Sequence, residues 1–271
     1  MAKPLLIVTG IPRSGTTLTA DLIDRLQDTV CLNEPPHYYQ RVADSKAKED
    51  FITDTLRELE QQWSTLAEGG TVLDRREADG HVPQNYFEES GKVRDMSMLP
   101  VGTGKKINDL LLAVKHNEIF TAVLKELCDI EKAKVIAIIR HPVPTLLSWQ
   151  SKEIPLRYGR LSRGYKFWDD ALAIEAAGGL IVDIQAKMFE LYCARYWSLR
   201  DKLTILKYED IVADPSVLEE ATGRKLTGEQ KLASHNRKHA DRFGDARVEQ
   251  LKSFLKKHFK VAYEFYPNLD V

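Results

Sequence analysis

Cysteine is scarce in this chain, with three among 271 residues: Cys31, Cys128 and Cys193. Their odd number and wide spacing exclude a disulfide framework and offer no metal-ligand pattern. Each reads as a core residue in a reducing compartment. Long hydrophobic runs are also missing. No apolar stretch approaches the roughly 20 residues that span a bilayer. The opening residues Met1 to Val8 hold a short apolar run that leads into a glycine turn, not into the small-residue cleavage site of a signal peptide. A soluble, cytoplasmic protein without a membrane span is the expectation. The chain has no excess of charge of one sign either: its formal net charge is −1. That argues against a nucleic-acid partner, because an electrostatic grip on a polyanion needs a clearly basic domain or stripe.

What is present is ordinary for a globular protein. Hydrophobic residues make up 43% and charged residues 29%, enough for one large core over 1–271. Short apolar runs at 5–9, 30–32, 110–115, 135–139 and 203–206 read as buried strands. Amphipathic helical patterns separate them. Leu18, Leu22 and Leu26 recur every four residues, and Ile52, Leu56, Leu59, Trp63 and Leu66 alternate spacings of four and three. Two stretches break the pattern, 35–109 in part and 152–179. The part from 74 to 104 is polar and rich in glycine, proline and charge, and reads as loops with short turns. Strands alternating with helices predict an α/β fold, a central parallel sheet of about five strands with helices on both faces. Such sheets bind ligands beyond the carboxyl ends of their strands.

The residues after the first strand are Gly10-Ile11-Pro12-Arg13-Ser14-Gly15-Thr16-Thr17. This is the Gly-x-x-x-x-Gly spacing of a P-loop in its strand–loop–helix context. Backbone N–H groups of such a loop form a concave anion site, reinforced by the following helix dipole. The lysine that precedes Ser/Thr in a nucleotide triphosphatase is missing, and Arg13 stands two residues before the second glycine. The loop therefore suits a phosphate with one further group. A glycine turn that merely starts a helix is the alternative.

Pro-Arg-Ser-Gly-Thr-Thr after a strand resembles the 5′-phosphosulfate loop of the sulfotransferases that use 3′-phosphoadenosine 5′-phosphosulfate (PAPS). A second block, Val135-Ile-Ala-Ile-Ile-Arg-His-Pro-Val-Pro-Thr-Leu-Leu-Ser148, is similar to the family's 3′-phosphate motif. The likeness runs over roughly residues 4–215 in element order. It implies a three-layer P-loop-type fold with acceptor loops near 35–109 and 152–179. It also implies PAPS as donor, adenosine 3′,5′-bisphosphate as product, no metal, and a small-molecule or carbohydrate acceptor. By the same resemblance Pro12, Arg13, Ser14, Gly15, Thr16 and Thr17 hold the 5′ end, and Arg140 and Ser148 hold the 3′-phosphate. Arginine supplies a fork of donors and serine a hydroxyl, which suits that task.

Glu34, in Leu32-Asn33-Glu34-Pro35, resembles the catalytic-base glutamate of carbohydrate sulfotransferases. A carboxylate suits the step, since an acceptor hydroxyl must lose a proton. A loop carboxylate paired with an arginine is the alternative. Lys115 resembles the strand-end lysine beside the sulfo group, where a cation offsets charge on the leaving oxygen. His116 is a second candidate base, or a surface residue. Arg13 offers charge but is a poor proton donor. The basic stretch from Arg237, Lys238 and His239 to Arg242 folds over the nucleotide if it follows the family, or ends a solvated helix. Two other readings stay open: a P-loop small-molecule kinase and a non-catalytic nucleotide-binding module.

Overall fold

The computed structural model describes residues 3–88, 92–228, 230 and 232–270; the side chains at 238–240 lie outside the description. Seven strands are present among the described residues: β1 (Leu5–Gly10), β2 (Thr29–Asn33), β3 (Thr71–Arg76), β4 (Ser97–Gly102), β5 (Leu111–Lys115), β6 (Ala133–Ile139) and β7 (Thr204–Lys207). Five form one sheet in the order β2-β5-β1-β6-β7, and every pairing in it is parallel.

Period-2 alternation divides the sheet's side chains between two cores. Leu5, Ile7, Leu32, Val114, Ala137 and Ile139 enter one, with residues of the helices Pro142–Ser151, Ile181–Ser198 and Asp245–His258. Leu6, Val8, Cys31, Ala113, Ile136 and Ile138 enter the other, with Ala20, Leu22 and Ile23 of the helix Thr16–Asp24. Burial on both faces explains why these strands read as continuous apolar runs. Helices therefore cover both faces, as the alternation predicts.

One expectation is overturned. The stretch read as loops from 74 to 104 begins and ends in an antiparallel pair, β3 against β4, with Thr71 opposite Gly102 and Arg76 opposite Ser97. Strand propensity missed it because Asp74, Arg75 and Arg76 are poor strand formers judged alone. Their charges are satisfied by tertiary partners. Arg76 is buried, and its guanidinium donates to Asp74 Oδ2 at 2.7 Å, Asp24 Oδ2 at 2.5 Å and the Cys31 carbonyl at 2.8 Å. Asp74 in turn accepts from the Asn33 N–H at 3.0 Å, so the hairpin grips the end of β2. Helices at Asp169–Ala177 and Tyr208–Ala213 also went unread in the sequence. No helix among the described residues is long and apolar enough to cross a membrane.

Candidate active site

Parallel pairing brings the strand ends to one edge. Register sets Lys115 beside Asn33 and Val8, and Gly10 beside Ile138. Of the residues that follow the strands, Glu34, His116, Pro12, Arg13, Gly15, Thr16, Thr17, Arg140 and Tyr208 all reach a single cavity of about 790 Å³. Of the sequence candidates, Pro12, Arg13, Gly15, Thr16, Thr17, Glu34, Lys115, His116, Arg140 and Arg242 line it; Ser14 and Ser148 do not.

The loop after β1 is built as a cradle. Carbonyls of Ile11, Pro12 and Arg13 accept from Ser14 N–H, Trp149 Nε1 and Arg140 Nη1. The Ser14 hydroxyl is engaged by the Ile138 carbonyl at 2.8 Å, which ties the loop to β6. The helix Thr16–Asp24 then begins at the loop, and the first N–H groups of a helix lack intrahelical partners. Gly15 has φ +86°, and a Cβ there would lie 2.4 Å from the Tyr208 ring, so only glycine fits. Arg13 and Glu34 also adopt left-handed backbone, φ 71° and 51°, a conformation costly outside glycine and common at functional sites.

Arg13 donates through Nε to Ser148 Oγ at 3.1 Å and through Nη2 to Asn85 Oδ1 at 3.2 Å. Ser148 thus stands behind Arg13. Burial, with like charge from Arg140, lowers Arg13 to about 10 against the pull of Glu34. Arg140 lies 4.4 Å over the Tyr208 ring and donates through Nε to Asn236 Oδ1 at 2.8 Å. Its buried Nη2 has no hydrogen-bond partner among the described residues. Burial lowers its pKa. Arg242 reaches the cavity from the helix Asn236–Phe243, whereas the Lys238 and His239 side chains lie outside the described residues.

Lys115 is fully buried and donates to Glu34 Oε1 at 2.5 Å and to Thr17 Oγ1 at 3.4 Å. Glu34 therefore pairs with a lysine, not an arginine. Burial alone raises Glu34, but Lys115 and then His116 outweigh it and hold the carboxylate at about 2. His116 is buried, not on the surface, among Tyr38, Tyr39 and Phe120. Neither ring nitrogen has a partner among the described residues, and burial lowers it to about 4, so the ring is neutral at physiological pH.

One sheet edge thus carries the glycine loop after β1 and Arg140 after β6, with Glu34 after β2 paired to Lys115 at the end of β5. The family described as "Sulfotransferase family" matches residues 4–221. The chain belongs to the sulfotransferase family. No curated protein matches the chain. Among solved structures, it is similar to a sulfotransferase from Alicyclobacillus acidocaldarius, at 15% identity and TM-score 0.41, covering 97% of this chain and 100% of that chain. A sulfotransferase from Mycobacterium tuberculosis aligns at 14% identity and TM-score 0.40 over 94% of this chain and 77% of that chain. Retinol dehydratase in complex with androsterone and inactive cofactor PAP aligns at 13% identity and TM-score 0.40, over 96% and 82%.

Sequence reasoning missed several residues of this sulfotransferase's cavity. Tyr208 follows β7 directly, so the expectation that ligands bind beyond the strand ends reaches it. Glu118 stands three residues after Lys115, in the first turn of the helix Asn117–Ala122. Asn85, Arg94 and Lys152 come from irregular segments and carry no local signal. Of the aromatics in those segments, Tyr38, Tyr165 and Trp168 are core, while Tyr39, Tyr86 and Phe87 line the cavity. No group of three His, Cys, Asp or Glu among the described residues is arranged to hold a metal ion.

Proposed function

We propose that the chain moves a sulfo group from PAPS to a hydroxyl or amine of a small-molecule or carbohydrate acceptor by in-line displacement. The observation that carries this reading is Arg140. A buried guanidinium with an unpartnered Nη2 faces the cavity on the same sheet edge as the phosphate loop. An unmet charged donor in such a place is costly unless an anion satisfies it. Two anion sites at β1 and β6 suit a donor with phosphate at both ends.

The residues fit that donor. The 12–17 loop and Arg13 take the 5′ end, and Arg140 and Arg242 the 3′-phosphate; Ser148 serves by holding Arg13. The donor supplies, when bound, a sulfo group on a phosphate that leaves readily. Glu34 accepts the acceptor's proton as the acceptor oxygen bonds to sulfur. Lys115 and Arg13 hold the phosphate oxygen that departs with the electron pair. Positioning and fixed charge do most of the work, as in phosphoryl transfer. The segments 35–109 and 152–179 line the acceptor side through Tyr39, Tyr86 and Leu156. The chain acts as one domain, in a reducing, cytoplasmic setting.

The test is binding of adenosine 3′,5′-bisphosphate, read as a rise in melting temperature. Arg140→Ala should weaken it about 10- to 100-fold, the range of a lost charged hydrogen bond. Unchanged affinity in Arg140→Ala would refute the 3′-phosphate assignment. Sulfate transfer from labelled PAPS to pooled acceptors then identifies the product.

A further inference from the structure

The cavity contains a second carboxyl that the reading above leaves without a task. Glu118 faces the cavity from the helix that follows β5. Its Oε2 accepts from Tyr39 Oη at 3.1 Å and from the Ser162 hydroxyl. Two residues before it in the chain, His116 is 1% exposed and lines the same cavity, with both ring nitrogens unpartnered among the described residues. The Asn117 side-chain oxygen is also buried without a partner there.

Arg13, Arg94 and Lys152 reach the cavity from loops, while the groups that follow the strands on either side of β1 divide by charge. Glu34 and Glu118 follow β2 and β5, on one side of the phosphate loop. Arg140 follows β6 on the other side, joined by Arg242. The β2–β5 side therefore offers lone pairs: two carboxylates, the Asn117 oxygen and, in neutral His116, one ring nitrogen. Its lysine, Lys115, is already held by Glu34. Burial raises the Glu118 carboxyl, and Glu34 adds like charge. A cation seated there offsets both effects.

We infer that the acceptor carries a protonated amine, seated against Glu118 with Asn117 and His116 as further acceptors, and a separate hydroxyl presented to Glu34. Its class is an amino alcohol, a phenolic amine or an amino sugar. An ammonium held by a carboxylate has no lone pair with which to attack sulfur. The site thus favours transfer to oxygen over transfer to nitrogen. Ile154, Pro155 and Leu156 line the cavity as well and give the acceptor's carbon skeleton an apolar wall. The hydroxyl's place rests on the sulfotransferase reading above, while the ammonium site does not.

The experiment compares tyramine with its uncharged counterpart 4-ethylphenol. Binding of each to the full chain is measured by NMR titration at neutral pH, with and without saturating adenosine 3′,5′-bisphosphate. Tyramine should bind at least about tenfold more tightly, the scale of a charge-assisted hydrogen bond. Glu118→Gln should abolish the preference by weakening tyramine, with less than about a threefold change for 4-ethylphenol. Equal binding of the two, no detectable binding of either, or equal loss of both in Glu118→Gln overturns the inference. The comparison in the parent protein needs no variant, so a poorly folded Glu118→Gln cannot hide the answer. Tyramine preference without bisphosphate binding would sink the donor assignment alone; bisphosphate binding without tyramine preference would sink the ammonium site alone.

Discussion

At the scale of single residues, the Glu34–Lys115 contact bears most directly on the proposed reaction. A carboxylate held at about 2 is ionised at any physiological pH, and a poor base while Lys115 grips it. Lys115 also lies 3.4 Å from Thr17 Oγ1, on the loop after β1. In the proposed reaction a donor anion in the loop would compete for the lysine, and each step that takes it away from Glu34 would raise the carboxylate's basicity. Glu34→Gln keeps the shape and an acceptor oxygen for Lys115 while removing the base. Turnover should then fall by roughly 10²–10⁴-fold, with bisphosphate affinity nearly unchanged. Near-parent turnover in Glu34→Gln, with a large loss in His116→Asn, would move the base to His116. That outcome has a structural basis, since both His116 nitrogens are unpartnered at the cavity.

At the scale of elements, the β3–β4 hairpin matters most. It lies outside the parallel sheet, yet its Asp74 bonds the Asn33 N–H immediately before Glu34. Arg76 fastens the hairpin to Asp24 at the end of the first helix and to Cys31 on β2. Removing one member of a buried ionic network leaves the others uncompensated, which costs about 3–5 kcal/mol. Arg76→Met should therefore lower unfolding stability by that order in urea titrations. A loss below about 1 kcal/mol, the level of an exposed pair, would mean the network is not closed as described.

The whole molecule responds to pH through its buried histidines. Burial holds His116 and His141 at about 4, against an ordinary 6.5. Below pH 6.5 the unfolded chain takes up protons at these sites, and the folded chain does so only near 4. Stability therefore falls as pH drops through that window. Glu34 acts in the same sense lower down: the stability its ionised form contributes is lost as pH falls from 4.5 towards about 2. Glu118 and Asp74, whose carboxyls burial raises, titrate in the opposite sense. The histidine contribution is thus read as a difference. His116→Asn should show a shallower decline of melting temperature between pH 6.5 and 4 than the parent does. Parallel curves would show that His116 is not buried as a neutral ring.

Much of this architecture is local and was legible without coordinates. Five apolar runs became the five parallel strands, because burial on both faces demands unbroken hydrophobicity. The Gly10–Gly15 spacing announced the cradle because left-handed backbone and close packing leave glycine no substitute. Strand ends share an edge in any parallel sheet, so a common edge for Glu34, Lys115 and Arg140 was predictable from the alternation of strands and helices. Pairing between distant segments was not predictable. Only tertiary structure matched Glu34 to Lys115, set Ser148 behind Arg13, and turned a charged stretch into the β3–β4 hairpin. The same holds for Glu118, which looks like any first-turn carboxylate until the chain folds around it. Hydrophobic period and backbone sterics are written in neighbouring residues. The partner of a buried charge is chosen by whichever distant segment reaches it, and for Arg76 and Asp24 that distance is 52 residues.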